Sequence, residues 1–236
     1  MVRSRLSELE RLHVAALIPA RGGSKGIPRK NLERVGGQTL IGRAVRTCLV
    51  SVASEVYVST EDAEIAAETR AAGGAVIDRP AELATDETST VDVLLHALQA
   101  MPQVPDVLVW LQCTAPLMSA LDIDGCVRRL IETGAATCVA ATPFHGFVLA
   151  DSQDGRVKGV TWDSLRPPPR RQDLPRYWQV AGSVWAFVVQ TFLRTHQVYG
   201  PDCVVCPVFG PVMDVDLPQD LALARLLIAE PIQYPL

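Results

Sequence analysis

The chain has 236 residues, 48% of them hydrophobic and 20% charged, with a formal net charge of -4 at pH 7. This is enough chain to bury a sizeable core as one α/β domain over residues 1–236. The negative balance excludes a general attraction for nucleic acid, so any anion site must be local. Apolar runs such as Val184 to Val189 are far too short to span a membrane. The charged start MVRSRLSELERLH lacks the apolar stretch of a secretory leader, so reduced cysteines and a cytoplasmic location are expected.

In chain order, Val14 to Ile18 reads as a buried strand that opens into the glycine-rich loop ARGGSKGIPRKN. Thr39 to Val50 reads as a helix, Glu55 to Ser59 as a strand, and Asp62 to Ala72 as a helix closed by Gly73-Gly74. Ala75 to Asp78 is a short strand, and Arg79 to Asp86 is irregular. A helix from Thr88 to Ala100 follows, with Thr88, Ser89 or Thr90 able to cap it. Asp106 to Cys113 is a strand, Asp122 to Glu132 a helix stopped by Gly134, and Ala136 to Ala141 another strand. This strand–helix alternation is the signature of a mainly parallel sheet with helices on both faces.

The alternation then breaks. Phe147 to Val160 reads as a hairpin turning at Asp154-Gly155, and SLRPPPRRQDLPR, from Ser164 to Arg176, is rich in proline and arginine. Residues 143–180 are therefore expected to leave the sheet as a protruding excursion, with Gly182 to Val189 as the returning strand. Thr191 to Val198 is a predicted helix, Cys203 to Val208 and Pro211 to Val215 are predicted strands, and Pro218 to Ala229 is a final helix.

Two motifs carry chemistry. In the first loop, Gly22, Gly23 and Gly26 let backbone amides approach a ligand closely, and Arg21, Lys25, Arg29 and Lys30 supply four cations. Amides and clustered cations after a first strand suit a polyphosphate. Neither GxxxxGK[ST] nor GxGxxG is present. In the second motif, Met213-Asp214-Val215-Asp216, an extended backbone would point Asp214 and Asp216 the same way, so that both could hold one hard cation such as Mg2+. Asp122 and Asp124 share that spacing but are expected at a helix start, where such positions diverge. Arg166, Arg170, Arg171 and Arg176 could hold an anionic acceptor or simply form a solvated or dimer-facing loop. Cys203 and Cys206 are expected on opposite strand faces, unable to share a metal, and His13, His96, His145 and His196 form no triad.

These residues resemble a known family. IPARGGSKGIPRKN, STEDAEIA, RPAELATDETST, LQCTAPL, RRQDLP and DVD, in that order from about Val14 to Leu227, are similar to the CMP-N-acylneuraminate synthetase (acylneuraminate cytidylyltransferase) family. The resemblance implies a Rossmann-like fold, CTP as donor, Mg2+ as cofactor and a homodimer joined through the excursion. It places Arg21, Gly22, Gly23, Ser24, Lys25 and Asn31 on CTP, with Arg21 and Lys25 on its phosphates. Arg79, Ser89 and Gln112 would line the cytosine or ribose side, Arg171, with Arg170 beside it, would face the acceptor, and Asp214 and Asp216 would hold the metal. Arg21, Lys25, Asp214 and Asp216 would then carry catalysis, with in-line attack on the α-phosphorus expelling pyrophosphate.

The departures from the family pattern fall on the acceptor side. The usual TSPLR is here Thr114-Ala115-Pro116-Leu117-Met118, and the usual NGAIY is Ala181-Gly182-Ser183-Val184-Trp185. Met118, Ala181 and Trp185 would make a smaller, drier acceptor pocket, which a hydroxyl-rich sugar acid would fill poorly. The expectation is thus a cytidylyltransferase with a small anionic acceptor, leaning toward a phosphonate such as phosphonoformate. A sialic or related ulosonic acid is the alternative. A glycosyltransferase using its DxD on a nucleotide sugar, or a CTP-binding protein without turnover, are more remote readings.

Overall fold

The computed structural model describes residues 11–152 and 154–229; the charged start over residues 1–10 lies outside the described residues. Eleven strands are found among these: β1 (Val14–Pro19), β2 (Arg34–Val35), β3 (Gln38–Thr39), β4 (Glu55–Thr60), β5 (Ala75–Asp78), β6 (Val107–Leu111), β7 (Thr137–Phe144), β8 (Leu149–Asp151), β9 (Val157–Gly159), β10 (Tyr177–Val188) and β11 (Cys203–Pro207). The α-helices are α1 (Leu40–Leu49), α2 (Ala63–Ala71), α3 (Thr90–Ala100), α4 (Ala120–Thr133), α5 (Val189–Thr195) and α6 (Pro218–Ala229). Among the described residues, no helix is long and apolar enough to cross a membrane.

Seven strands form one sheet in the order β11-β7-β10-β6-β1-β4-β5. All neighbouring pairs are parallel except those of β10, which runs antiparallel to both β6 and β7. The central strands VAALIP and VLVWL have no alternation because both of their faces are covered. Val14, Ala16 and Ile18 of β1 face a core shared with α1 and α4, through Ile41, Val45, Ile123 and Val127. Ala15 and Leu17 face the opposite core with Leu94 and Leu98 of α3 and Phe192 of α5. Each fully buried Val, Ile, Leu or Phe side chain among these contributes roughly 1.5–3 kcal/mol.

Helix starts follow local chemistry. Asp62 caps α2 by accepting from the amides of Glu64 and Ile65 at 2.9 and 3.0 Å. Ser119 caps α4 in a reciprocal box with Asp122, so this helix begins two residues before its predicted start. α5 likewise starts earlier, at Val189, and stops at His196, whose φ of 53° is left-handed. Cys203 and Cys206 pack against opposite cores, and the six cysteines are unpaired thiols.

Residues 145–176 lie off the seven-stranded sheet, with β8 and β9 pairing only with each other. The returning strand begins at Tyr177, earlier than Gly182, because β10 pairs with β7 as far out as Tyr177 opposite Phe144. Its register slips between Val180 and Trp185, around Gly182 at φ 67°. One element is corrected: Pro211 to Val215 is not a strand. Gly210 and Pro211 break the pattern, and the segment crosses the sheet's end, where the Val215 amide donates to the Thr114 carbonyl at 2.8 Å.

Candidate active site

The chain moves from β1 to β4 on one side and returns to β6 on the other, so β1 and β6 flank the point where strand order reverses. Open α/β sheets leave a crevice there, beyond the carboxyl ends of the strands. A cleft of about 680 Å³ lies at that position, and it brings together Arg21, Ser24, Lys25, Asn31, Arg79, Gln112, Asp214 and Asp216. Residues 191 positions apart in the sequence, from Lys25 to Asp216, therefore share one cavity.

A small apolar cluster explains this approach. Ile27 of the loop packs with Val35, Leu40, Val215 and, from α6, Leu221 and Ala224. Val215 sits between the two aspartates, so its burial turns Asp214 and Asp216 to the loop. Gly26 passes so close that a Cβ there would strike the Asp216 carbonyl oxygen, which is why this position excludes a side chain. Arg29 turns the chain at φ 54°, and Lys30–Leu32 then forms a single 3-10 turn. The Asp216 and Leu217 amides donate to Asp220 Oδ2 at 3.1 and 2.8 Å, anchoring the start of α6.

The cations are held in place individually. Arg21 Nη2 lies 2.7 Å from Asp86 Oδ1, and Lys25 pairs with the other oxygen of the same carboxylate. Lys30 Nζ lies 2.8 Å from Asp216 Oδ1. Arg29 reaches Asp62 and Glu64 at 3.3 and 3.1 Å. Arg79, only 7% exposed, donates to the Ser59 hydroxyl at 3.1 Å and to the Ser59 carbonyl. Burial lowers the pKa of Arg79 from its ordinary value, although a guanidinium keeps its charge at neutral pH. Asn31 braces the loop from within, its amide donating to the Arg21 carbonyl at 2.9 Å and its oxygen accepting from Cys113 at 3.2 Å.

The two aspartates differ. Asp216 is largely exposed and ion-paired. Asp214 is partly sunk beneath the bulge of β10, and its Oδ1 is buried without a hydrogen-bond partner. Burial raises its pKa above the usual carboxylate value, Asp216 adds to that rise, and a hydrogen bond from Thr114 opposes it. A buried oxygen left unpaired is costly unless something occupies it.

Other expected residues lie elsewhere. Gly22 and Gly23 belong to the loop but do not line the cleft, and the Gly22 amide already donates to Glu61 Oε1 at 2.7 Å. Ser89 caps α3, its hydroxyl accepting from the Asp92 amide at 3.1 Å, while its neighbours Thr88 and Thr90 line the cleft. Arg170 pairs with Asp173 at 3.0 Å, and Arg171 donates to the His145 carbonyl at 2.6 Å. Arg171 borders a separate cavity with His145, Gln172, Leu174 and Arg176. Met118 and Ala181 are buried in the core. Trp185 is buried too, stacked at 4.1 Å on Trp110, which itself lines the cleft. The sequence reading missed Trp110, Asp86 and Leu217. Asp86 stands beside Glu87 in the TDETS stretch, and only the fold shows which of the two acids meets the loop cations.

The profile of a family described as "Cytidylyltransferase" matches residues 15–151, more than half of the chain. The chain belongs to the cytidylyltransferase family. It is 30% identical over 222 residues to a pseudaminic acid cytidylyltransferase of Campylobacter jejuni, covering 89% of this chain and 94% of that protein. It is 33% identical over 166 residues to N-acylneuraminate cytidylyltransferase B of Danio rerio, covering 69% of this chain. The chain spans 39% of that zebrafish protein's length. In fold, this cytidylyltransferase relative is similar to a CMP:2-keto-3-deoxy-manno-octonic acid synthetase complexed with CTP. The TM-score is 0.69 at 19% identity, over 93% of this chain and 100% of the other.

Proposed function

We propose that the chain transfers CMP from CTP to an anionic sugar acid, releasing pyrophosphate. The observation that carries this reading is the cleft itself: two loop cations, Arg21 and Lys25, face a carboxylate pair across one cavity at the sheet's reversal point. An acceptor hydroxyl oxygen would bond to the α-phosphorus as its bond to the bridging oxygen breaks. The hydroxyl proton leaves to water, and pyrophosphate departs with the bridging electron pair. Arg21 and Lys25 would neutralise the charge on the departing phosphates, and the buried Arg79 would hold its position beside the nucleoside.

The residues also fit a divalent cation. Asp214 Oδ1 is an orphaned buried acceptor, and Asp216 stands two residues away with oxygens open to the cleft. Among the described residues no group of three or more His, Cys, Asp or Glu side chains forms a protein-only metal cage. That suits Mg2+, which takes one or two carboxylates and completes its shell with phosphate oxygens and water. When bound, Mg2+ would supply charge stabilisation at the phosphates. Lys30 would keep Asp216 oriented in the meantime.

The case for a small phosphonate acceptor rested on Met118, Ala181 and Trp185. Their burial makes those departures matters of packing behind the cleft. The sugar-acid reading is supported by the pseudaminic acid cytidylyltransferase that this chain matches over nearly that protein's whole length. A homodimer is supported by the apolar surface of the excursion and the strand end beside it, where Phe147, Leu149, Val157, Val160, Leu165 and Val180 are all exposed. The test is one panel of CTP, Mg2+ and single acceptors: N-acetylneuraminate, pseudaminate and phosphonoformate. A CMP–sugar acid mass with equimolar pyrophosphate is expected. A CMP–phosphonoformate mass alone would replace the acceptor, and no conjugate at all would overturn the reading.

A further inference from the structure

The anion-binding groups of the loop already hold carboxylates: Gly22 has Glu61, Arg29 has Asp62 and Glu64, and Lys30 has Asp216. Asp86 is set apart by taking two cations at once. Its Oδ1 accepts from Arg21 at 2.7 Å and its Oδ2 pairs with Lys25, and all three residues line the cleft. Asp86 lies in the irregular stretch between the 3-10 turn Ala81–Leu83 and α3. That stretch is tied by light bonds, the Thr85 and Thr88 hydroxyls meeting at 2.9 Å and Thr88 reaching the Glu82 carbonyl at 3.3 Å.

We infer that Asp86 is a built-in occupant of the polyphosphate site. The phosphates of the nucleotide must displace it, and it returns as pyrophosphate leaves. The inference rests on the CTP-using reading for its choice of cations. A carboxylate bridging a guanidinium and an ammonium makes the same charge-assisted bonds that two phosphate oxygens would make. A polyphosphate therefore gains only the difference between its own contacts and those it breaks. Hydrogen bonds from Lys25 and Arg21 hold the Asp86 carboxyl below its ordinary pKa, so it competes as an anion throughout the neutral range. Competition from two such exposed pairs is expected to weaken polyphosphate binding about tenfold and to speed product release in the same way.

The test titrates inorganic tripolyphosphate, pyrophosphate, CTP and cytidine calorimetrically into the wild type, Asp86→Asn and Asp86→Ala. Both variants are expected to bind tripolyphosphate and pyrophosphate about tenfold tighter, with cytidine unchanged. Unchanged or weaker polyphosphate binding would overturn the inference, as would no tripolyphosphate binding by any form. A second measurement needs no variant: the Asp86 carboxyl, followed by carbon-13 NMR in the wild type, should titrate at higher pH once tripolyphosphate is added. An unmoved midpoint would contradict displacement. Tighter tripolyphosphate binding in a protein that never forms a CMP conjugate would keep this inference and remove the proposed transfer. Turnover with unchanged affinities would do the reverse.

Discussion

Two segments of this chain, the loop at 21–30 and the excursion at 166–176, look alike as sequence, both crowded with cations. In space they differ in who answers them. Arg21 meets Asp86 and Lys30 meets Asp216, partners 65 and 186 positions away. Arg166 and Arg170 meet Asp163 and Asp173, each three residues off and exposed. Long-range pairs fix a cavity between elements, whereas local pairs only shape a turn. Density of charge was the same signal in both places, and the distance to the partner separates a preformed site from a decorated surface.

The sharpest break in that comparison comes at Asp214. Asp214→Asn should lower turnover by about a hundredfold or more, measured as pyrophosphate release, while CTP affinity without metal stays near wild type. The same variant should melt higher at neutral pH. The folded state raises the pKa of Asp214, so its favourable contribution is full below the unfolded value and is lost as pH rises through the folded one. At neutral pH the wild type carries that cost and the amide does not. The gain should fade in acid, where Asp214 is protonated, and a variant that melts lower at pH 7 would count against the buried, unpaired oxygen.

Arg21→Ala should come next, weakening CTP about tenfold to a hundredfold by calorimetry and leaving the acceptor KM in place, since a charged hydrogen bond is worth about 1.5–3 kcal/mol. Arg171→Ala should raise only the acceptor KM, by about threefold to tenfold. Arg170→Ala should change neither constant by more than about twofold, because its guanidinium is spent on Asp173 at the surface. Equal effects from Arg170 and Arg171 would erase the distinction between positioned and decorative cations.

Most of the fold was legible. Runs such as VAALIP and VLVWL announce strands covered on both faces, and Asp62 and Ser89 announce helix starts, whereas the Ser119 cap places one start two residues before the expected Asp122. Pro211 to Val215 reads as a strand from its apolar residues, but Val212 packs on the main core and Val215 on the loop cluster while the segment crosses the sheet's end. Of the site, the loop and the paired aspartates were legible because their chemistry is local. Asp86 and Trp110 were not, since the first matters only through Arg21 and Lys25, and the second through its stack on Trp185. Met118 and Ala181 read as pocket residues because one motif alignment cannot tell a lining side chain from the layer behind it.

The proposed CMP transfer depends on the loop and the aspartate pair acting together. Pyrophosphate release from CTP, with Mg2+ and a sugar acid, should be compared between the wild type and Asp216→Ala, with melting curves confirming that both are folded. Acceptor-dependent release is expected in the wild type, with a loss of at least about a hundredfold in the variant. Release at the wild-type rate from Asp216→Ala, or none from the wild type with any acceptor, would contradict it.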